Sequence, residues 1–327
     1  ATERLAAELT DGPGVVIGTV WPEDGKLHNA VVMIEAGAIA AVRFKVDLPN
    51  YGVFDEKRVF DAGPLPGPVL FRGVRLGLPV CEDIWKEEVC ECLEECGAEL
   101  LISINGSPYD RSKLDLRANV TAARVTETRL PLVYLNQVGG QDELVFDGAS
   151  FVLNADCSLA VQMPAWTETI TLTEWEHTGD SWRCKPGEKA SIPDGEAAAY
   201  HATVLGLGDY VRKNGFPGVV LGLSGGVDSA LVAAIAADAI GPEKVHAVML
   251  PYRYTSRDSL VDAEACAKAL GIRYDIVPIG DGVEGIVGSL REIFSGRKSD
   301  LTEENVQSRV RGTTLMAISN KLGGMVV

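Results

Sequence analysis

Short apolar runs dominate the first half of the chain. VVIGTVW, AVVMIEAG, VRLGLPVC, ELLISING, LPLVYLNQV and FDGASFVLNAD lie between residues 15 and 156, separated by Gly, Pro, Asn and Asp. Runs of this length bounded by turn residues predict strands. The start, ATERLAAEL, has helical spacing, and between the strands only Trp85–Cys96 and Lys113–Thr128 do. This half therefore reads as a strand-dominated α/β layer needing helices on both faces. Residues 167–196 lose the periodicity and gain Gly, Pro and charge, which predicts a connecting arm. The expected organisation is a first domain over 1–175, a linker over 176–196 and a second domain over 197–327. In the last of these, strands GVVLGL, KVHAVMLP, YDIVPI and GMVV alternate with apolar helices, a βαβ series that implies a parallel sheet.

Composition narrows the partners. Of 327 residues 46% are hydrophobic and 23% charged, enough to bury a full core, and no apolar run is long enough to span a bilayer. The 30 Lys and Arg against 46 Asp and Glu leave a net charge of −16, a field that repels nucleic acid. Neither nucleic acid nor a membrane is expected as a partner. Seven cysteines form no secreted-scaffold pattern, and a reducing cytoplasm fits them. Cys90, Cys92 and Cys96 lack the CxxC pairs of zinc sites and read as structural.

The strongest chemical signal is GLSGGVDSAL, residues 222–231, between an apolar strand and an apolar helix. Two glycines let backbone approach a ligand, and the Ser224 and Ser229 hydroxyls with free N–H groups at a helix start make an anion cradle. The loop lacks the lysine of a Walker A sequence. A tight strand-to-helix turn with a capping serine is the plain alternative. SGGVDS resembles the pyrophosphate loop of the N-type ATP pyrophosphatases, which split ATP between its α and β phosphates. That resemblance implies ATP contacts along Gly222, Leu223, Ser224, Gly225, Gly226, Val227, Asp228 and Ser229, with Asp228 also helping to hold Mg²⁺.

In the first half, VCEDIW places Cys81 at a strand end, where a thiol is reachable; a free cysteine is otherwise a small buried hydrophobe. Only His28 shares this domain, on a turn-like DGKLHNA, so a Cys–His dyad is poorly supplied. An adjacent ammonium is another way to favour a thiolate, and Lys45 follows an apolar strand. By itself Lys45 reads as a solvated lysine.

Together KVDLPNY, VCEDIW, NGSPYDRSK and NQVGGQDELVFDGASF closely resemble the glutaminase domain of the glutamine-dependent NAD synthetases, nitrilase-like enzymes with a Glu-Lys-Cys triad. LPYRYTS and TEENVQSRVRG continue the resemblance into the synthetase half. It implies a nitrilase-like α-β-β-α layered domain followed by a parallel-sheet, Rossmann-like domain. Cys81 becomes the nucleophile and Lys45 the group stabilising thiolate and oxyanion. Tyr51, Ser107 and Lys113 become glutamine contacts, the Lys113 ammonium suiting the α-carboxylate. Turn packing, a loop cap and a helix-face charge are their respective alternatives. Asn305 becomes a deamido-NAD contact, with Arg309 one turn along the same helix face and Arg311 nearby as phosphate or ribose contacts; a solvated helix face is the alternative. The expected activity is amidation of deamido-NAD by Mg-ATP with ammonia from glutamine, in a homo-oligomer.

The triad's general-base glutamate falls before the first residue in this resemblance, and the TTGNKSE-like segment after the last. The 327 residues are thus expected to be an interior portion of a longer polypeptide. Two other readings remain open from sequence. One is a glutamine-fed pyrophosphatase with a different acceptor, and the other a non-catalytic nitrilase-like scaffold.

Overall fold

A computed structural model describes residues 1–179, 181–298 and 300–327. Strands β1 (Val15–Glu23), β2 (Lys26–Glu35) and β3 (Ala38–Phe44) pair antiparallel through tight turns at Asp24-Gly25 and Ala36-Gly37, all four residues at positive φ. Consecutive residues of β2 point to opposite faces. Val31 and Met33 meet Val69, Leu76, Leu78 and Val80, while Val32 and Ile34 meet Ala6 of helix α1 (Thr2–Glu8).

The second sheet begins with β4 (Val69–Phe71), β5 (Val74–Gly77), β6 (Leu100–Asn105) and β7 (Leu132–Asn136). The hairpin strands β8 (Val138–Gln141) and β9 (Leu144–Asp147) interrupt it before β10 (Phe151–Leu153) and β11 (Leu159–Gln162) complete it. Its order is β11-β10-β7-β6-β5-β4, with β5, β6 and β7 parallel. Helices α2 (Glu88–Glu95) and α3 (Lys113–Thr128) make those crossovers. They bury Val89, Cys90, Leu93 and Val125 against Leu101, Leu132 and Tyr134. The result is the expected α-β-β-α layering.

The stretch expected to be a linker is structured. Strands β12 (Trp175–Thr178) and β13 (Ser181–Cys184) form a hairpin, and Cys184 is buried against Val152, Ala160 and Val161. Helix α4 (Gly195–Lys213) then begins within the expected linker. Two compact units result, Ala1–Gly139 with Phe146–Ala198, and Gly140–Val145 with Ala199–Val327.

The second unit carries β14 (Val219–Gly222), α5 (Val227–Ile240), β15 (Val245–Met249), α6 (Arg257–Leu270), β16 (Arg273–Ile276), α7 (Gly280–Ser289), α8 (Leu301–Leu322) and β17 (Met325–Val326). The sheet is all parallel, in the order β16-β15-β14-β17. Its strands are nearly continuous apolar runs because both faces are covered. Val219, Leu221 and Ala247 face Ala233, Ala236 and Ala263 of α5 and α6, while Val220 and Val248 face Val283, Val306 and Val310 of α7 and α8. The chain leaves β14 toward β15 and returns to its other edge as β17. The loop after β14 thus lies at the strand-order switch, where α/β sheets open a crevice.

Candidate active sites

In the first unit Lys45, Glu56, Val80, Cys81, Asn105, Gly106 and Gln137 are among the residues lining one cavity of about 380 Å³. Lys45 directly follows β3 and is 1% exposed, so the solvated reading of this lysine is wrong. A buried ammonium needs a partner. It has one in Glu56, whose Oε1 lies 2.6 Å from Lys45 Nζ, while Oε2 accepts from Asn29 Nδ2 at 3.3 Å. Cys81 starts a 3₁₀ turn (Cys81–Ile84) with φ +48°, a left-handed conformation that a non-glycine residue adopts only under constraint. Burial pushes its thiol up, opposed by the Lys45 charge and by the Gly106 backbone N–H, and reinforced by Glu82 and Glu56. The thiol thus sits beside the two groups that stabilise negative charge on it.

Glu56 is the functional residue that sequence reasoning missed. Its signal was an acidic side chain in the irregular NYGVFDEKR stretch, which reads as a solvated charge run. His28 lies on β2 rather than on a turn. It stacks on Phe44 at 4.2 Å, its Nδ1 lies 2.8 Å from the Asp61 carbonyl, and it does not line the cavity.

The three expected glutamine contacts surround this cavity without lining it. Tyr51 is exposed, donates to the Glu82 carboxylate and meets the Phe54 ring edge-on at 6.0 Å. Lys113 opens α3 with its Nζ 5.7 Å from the Phe54 centroid, and Phe54 does line the cavity. Burial, then Arg117, lowers the Lys113 pKa. Ser107 is buried beside Gly106 and held from all sides. Arg117 donates from Nε to Ser107 Oγ (3.1 Å) and from Nη2 to the Ser107 and Pro108 carbonyls (2.7 and 3.0 Å). Asn136 Oδ1 accepts from Ser107 N. Because guanidinium is donor-only, Ser107 Oγ accepts there and keeps its own proton to donate. Arg117 is itself paired through Nη1 with both oxygens of buried Asp147 at 2.8 Å. Arg117→Met strands that carboxylate, and unfolding of the chain in urea should report a loss of about 3–5 kcal/mol.

In the second unit the loop after β14 closes on itself. Ser229 Oγ donates to the Gly226 carbonyl at 2.9 Å and accepts from Ser224 N at 3.1 Å, with Ser224 Oγ 3.0 Å away. Gly222, Leu223 and Ser224 line a cavity of about 480 Å³ with Val248, Met249, Leu250 and the 254–259 segment, a volume suited to a nucleotide. Arg311 also lines it, donating from Nε to the Leu250 carbonyl at 3.2 Å. Gly225, Gly226, Val227, Asp228 and Ser229 lie on the loop and first helical turn, outside that lining. Asn305 and Arg309 are adjacent on α8, exposed, with Arg309 Nη1 3.2 Å from the Asn305 carbonyl.

Mg²⁺ takes one or two carboxylates and completes its octahedron with water and phosphate. Asp228, exposed in the first turn of α5, offers one such oxygen donor. Among the described residues no cluster of three or more His, Cys, Asp or Glu could hold a metal. The donor set fits an ion carried in on a triphosphate rather than a protein cage.

A four-layer α/β unit with a lysine-flanked thiol, on one chain with a parallel-sheet unit opening on an anion loop, defines a thiol hydrolase-like class joined to a nucleotide-loop domain. Residues 2–183 match the carbon-nitrogen hydrolase family model, and the chain belongs to that family. Residues 199–327 match the NAD synthase model. The glutamine-dependent NAD(+) synthetase of Rhodobacter capsulatus is 51% identical over all of this chain and 59% of its own length. That of Acinetobacter baylyi is 41% identical over 93% of this chain and 56% of its own. The solved glutamine-dependent NAD+ synthetase of Acinetobacter baumannii, in complex with ADP, superposes with a TM-score of 0.93 at 40% identity, over 99% of this chain and 62% of that one. The chain thus spans about six tenths of these relatives. Among the described residues no helix is long and apolar enough to cross a membrane.

Proposed function

We propose that the first unit hydrolyses glutamine and that the second uses the released ammonia to amidate deamido-NAD with Mg-ATP. One observation carries the reading: a thiol, a buried ammonium and an inward backbone N–H share one cavity. Cys81 Sγ attacks the glutamine side-chain carbonyl as Lys45 and the Gly106 N–H neutralise the developing oxyanion, and the proton lost by the thiol ends on the departing amide nitrogen, relayed by the triad's general-base glutamate in the full-length protein. Ammonia leaves, and water hydrolyses the γ-glutamyl thioester to glutamate and free thiol. The Ser107 hydroxyl proton and the Lys113 ammonium suit the substrate α-carboxylate, with Tyr51 and Phe54 at the rim.

In the second unit the nicotinate carboxylate attacks the α-phosphorus of ATP and pyrophosphate leaves into the 222–229 loop. Ammonia then displaces AMP. Mg²⁺ at Asp228 supplies charge neutralisation on the phosphates. Asn305 and Arg309 contact deamido-NAD. We place this chemistry in the cytoplasm and in a homo-oligomer; seven unpaired cysteines suit a reducing compartment.

The test feeds amide-¹⁵N glutamine, deamido-NAD and Mg-ATP to the full-length protein. The expected result is ¹⁵N in the product amide with AMP and pyrophosphate in equal amounts. Glutamate release with no nitrogen transfer would mean a different acceptor, and no glutamate release at all would overturn the assignment of the first unit.

A further inference from the structure

Asp83, two residues after the thiol, is 1% exposed and its carboxylate bonds to backbone alone. Oδ1 accepts from Val46 N at 3.0 Å and Asp47 N at 2.8 Å, and Oδ2 accepts from Val80 N at 2.9 Å. Two of these amides directly follow Lys45 and the third directly precedes Cys81. Lys45 is otherwise held through its own backbone, N to the Asn29 carbonyl at 2.8 Å and O from Gly63 N at 2.9 Å, and at its Nζ by Glu56 Oε1 at 2.6 Å. Among the described residues no other side chain bonds both the segment carrying the ammonium and the turn carrying the sulfur.

We propose that Asp83 is the positioning residue of the thiol site, a clamp that fixes the Lys45 segment against the strained Cys81 turn and so sets how strongly the ammonium activates the sulfur. The proposal rests on the glutaminase reading of this cavity but concerns a residue that touches no substrate. Its chemistry requires the ionised form. A carboxylate offers charged acceptors to all three amides, whereas a protonated oxygen is a weaker acceptor and an amide nitrogen at the Oδ2 position turns a donor toward the Val80 N–H. The neighbouring charged and titratable groups are Lys45, Glu82, the Asp47–Lys86 pair and the Cys90 thiol, which burial holds at about 12. Burial pushes the Asp83 carboxyl up to about 6 against the pull of its three amides and of Lys45. The clamp therefore closes as pH rises through about 6.

The experiment compares wild type with Asp83→Asn in the full-length protein. Alkylation of Cys81 by chloroacetamide and kcat and KM for glutamine hydrolysis are followed from pH 5 to 8.5. The expected result at pH 7.5 is an alkylation rate and a kcat each down about tenfold, a KM within about twofold, and loss of the acid limb near pH 6. Wild-type kcat and alkylation with the limb intact, or a change in KM alone, overturn the proposal. A second measurement needs no variant: hydrogen-exchange protection of the Val46, Asp47 and Val80 amides in wild type should fall about tenfold between pH 7 and 5. Unchanged protection also overturns it. Alkylation and exchange need no glutamine, so failure of the glutaminase reading, seen as glutamine hydrolysis surviving Cys81→Ala, stays distinguishable.

Discussion

Lys45→Met is expected to cut glutamine hydrolysis about 10³-fold, the size of losing one preorganised donor at a developing oxyanion. Methionine keeps the volume of a position that is 1% exposed, so the loss is one of charge rather than packing. The sign follows from the site. Burial pushes the Cys81 thiol up and Lys45 pulls it down; without Lys45, burial, Glu82 and Glu56 act unopposed except by the Gly106 N–H. Less thiolate then exists at any neutral pH, and the midpoint of Cys81 alkylation moves to higher pH. Glu56, left among the described residues with Asn29 as its side-chain partner, becomes an unneutralised carboxylate beside the sulfur. Adding Glu56→Gln to Lys45→Met should bring the alkylation midpoint part of the way back. Ammonia-driven amidation by the same full-length variant should persist. Hydrolysis within about tenfold of wild type, or an unmoved alkylation midpoint, would remove Lys45 from the mechanism.

What could be read in advance depended on sequence separation. The 222–229 loop was legible because strand, glycines and helix start are contiguous, and local periodicity fixes all three. Cys81 and Lys45 were legible as residue types, and the family resemblance paired them. Nothing in their spacing shows that the residue after β3 and the turn after β5, 36 positions apart in sequence, meet at one cavity. The burial of Lys45 depends on Glu56, eleven residues on in an irregular segment where periodicity has nothing to act on. Arg117 and Asp147 were illegible for the same reason. Each looks like a surface charge until a partner thirty residues away neutralises it.

The hairpin inside the expected linker was illegible for a different reason. β12 and β13 have four residues each in a charged, glycine-bearing context, below what alternation can resolve, and Cys184 reveals its role only by filling a core beside Val152. Short edge strands such as β4 and β11 share that defect. The strand-dominated α/β character was legible because buried strands such as β6 and β7 are apolar runs, whereas the α-β-β-α layering came from the family resemblance.

The two glycines of SGGVDS should respond unequally to alanine. Gly225 sits at φ +83°, and a Cβ there would overlap the backbone of Ser259 on α6. A side chain at this position is strained in conformation and must also displace a helix that lines the nucleotide cavity, since Ser259 is one of its walls. Gly226 is in extended backbone, φ −88° and ψ 156°, and the nearest atom to its Cβ is Ser224 Oγ at 3.4 Å, an ordinary contact. Gly225→Ala is therefore expected to lower deamido-NAD-dependent ATP–pyrophosphate exchange at least about 100-fold, roughly 2.7 kcal/mol of transition-state stabilisation, whereas Gly226→Ala stays within about tenfold. Cys81 alkylation, which reads the other unit, should be unchanged in both. Equal losses in the two variants would mean that ligand approach, not the fit of the loop against α6, selects glycine here. Full exchange in Gly225→Ala would mean that pyrophosphate departs somewhere other than this loop.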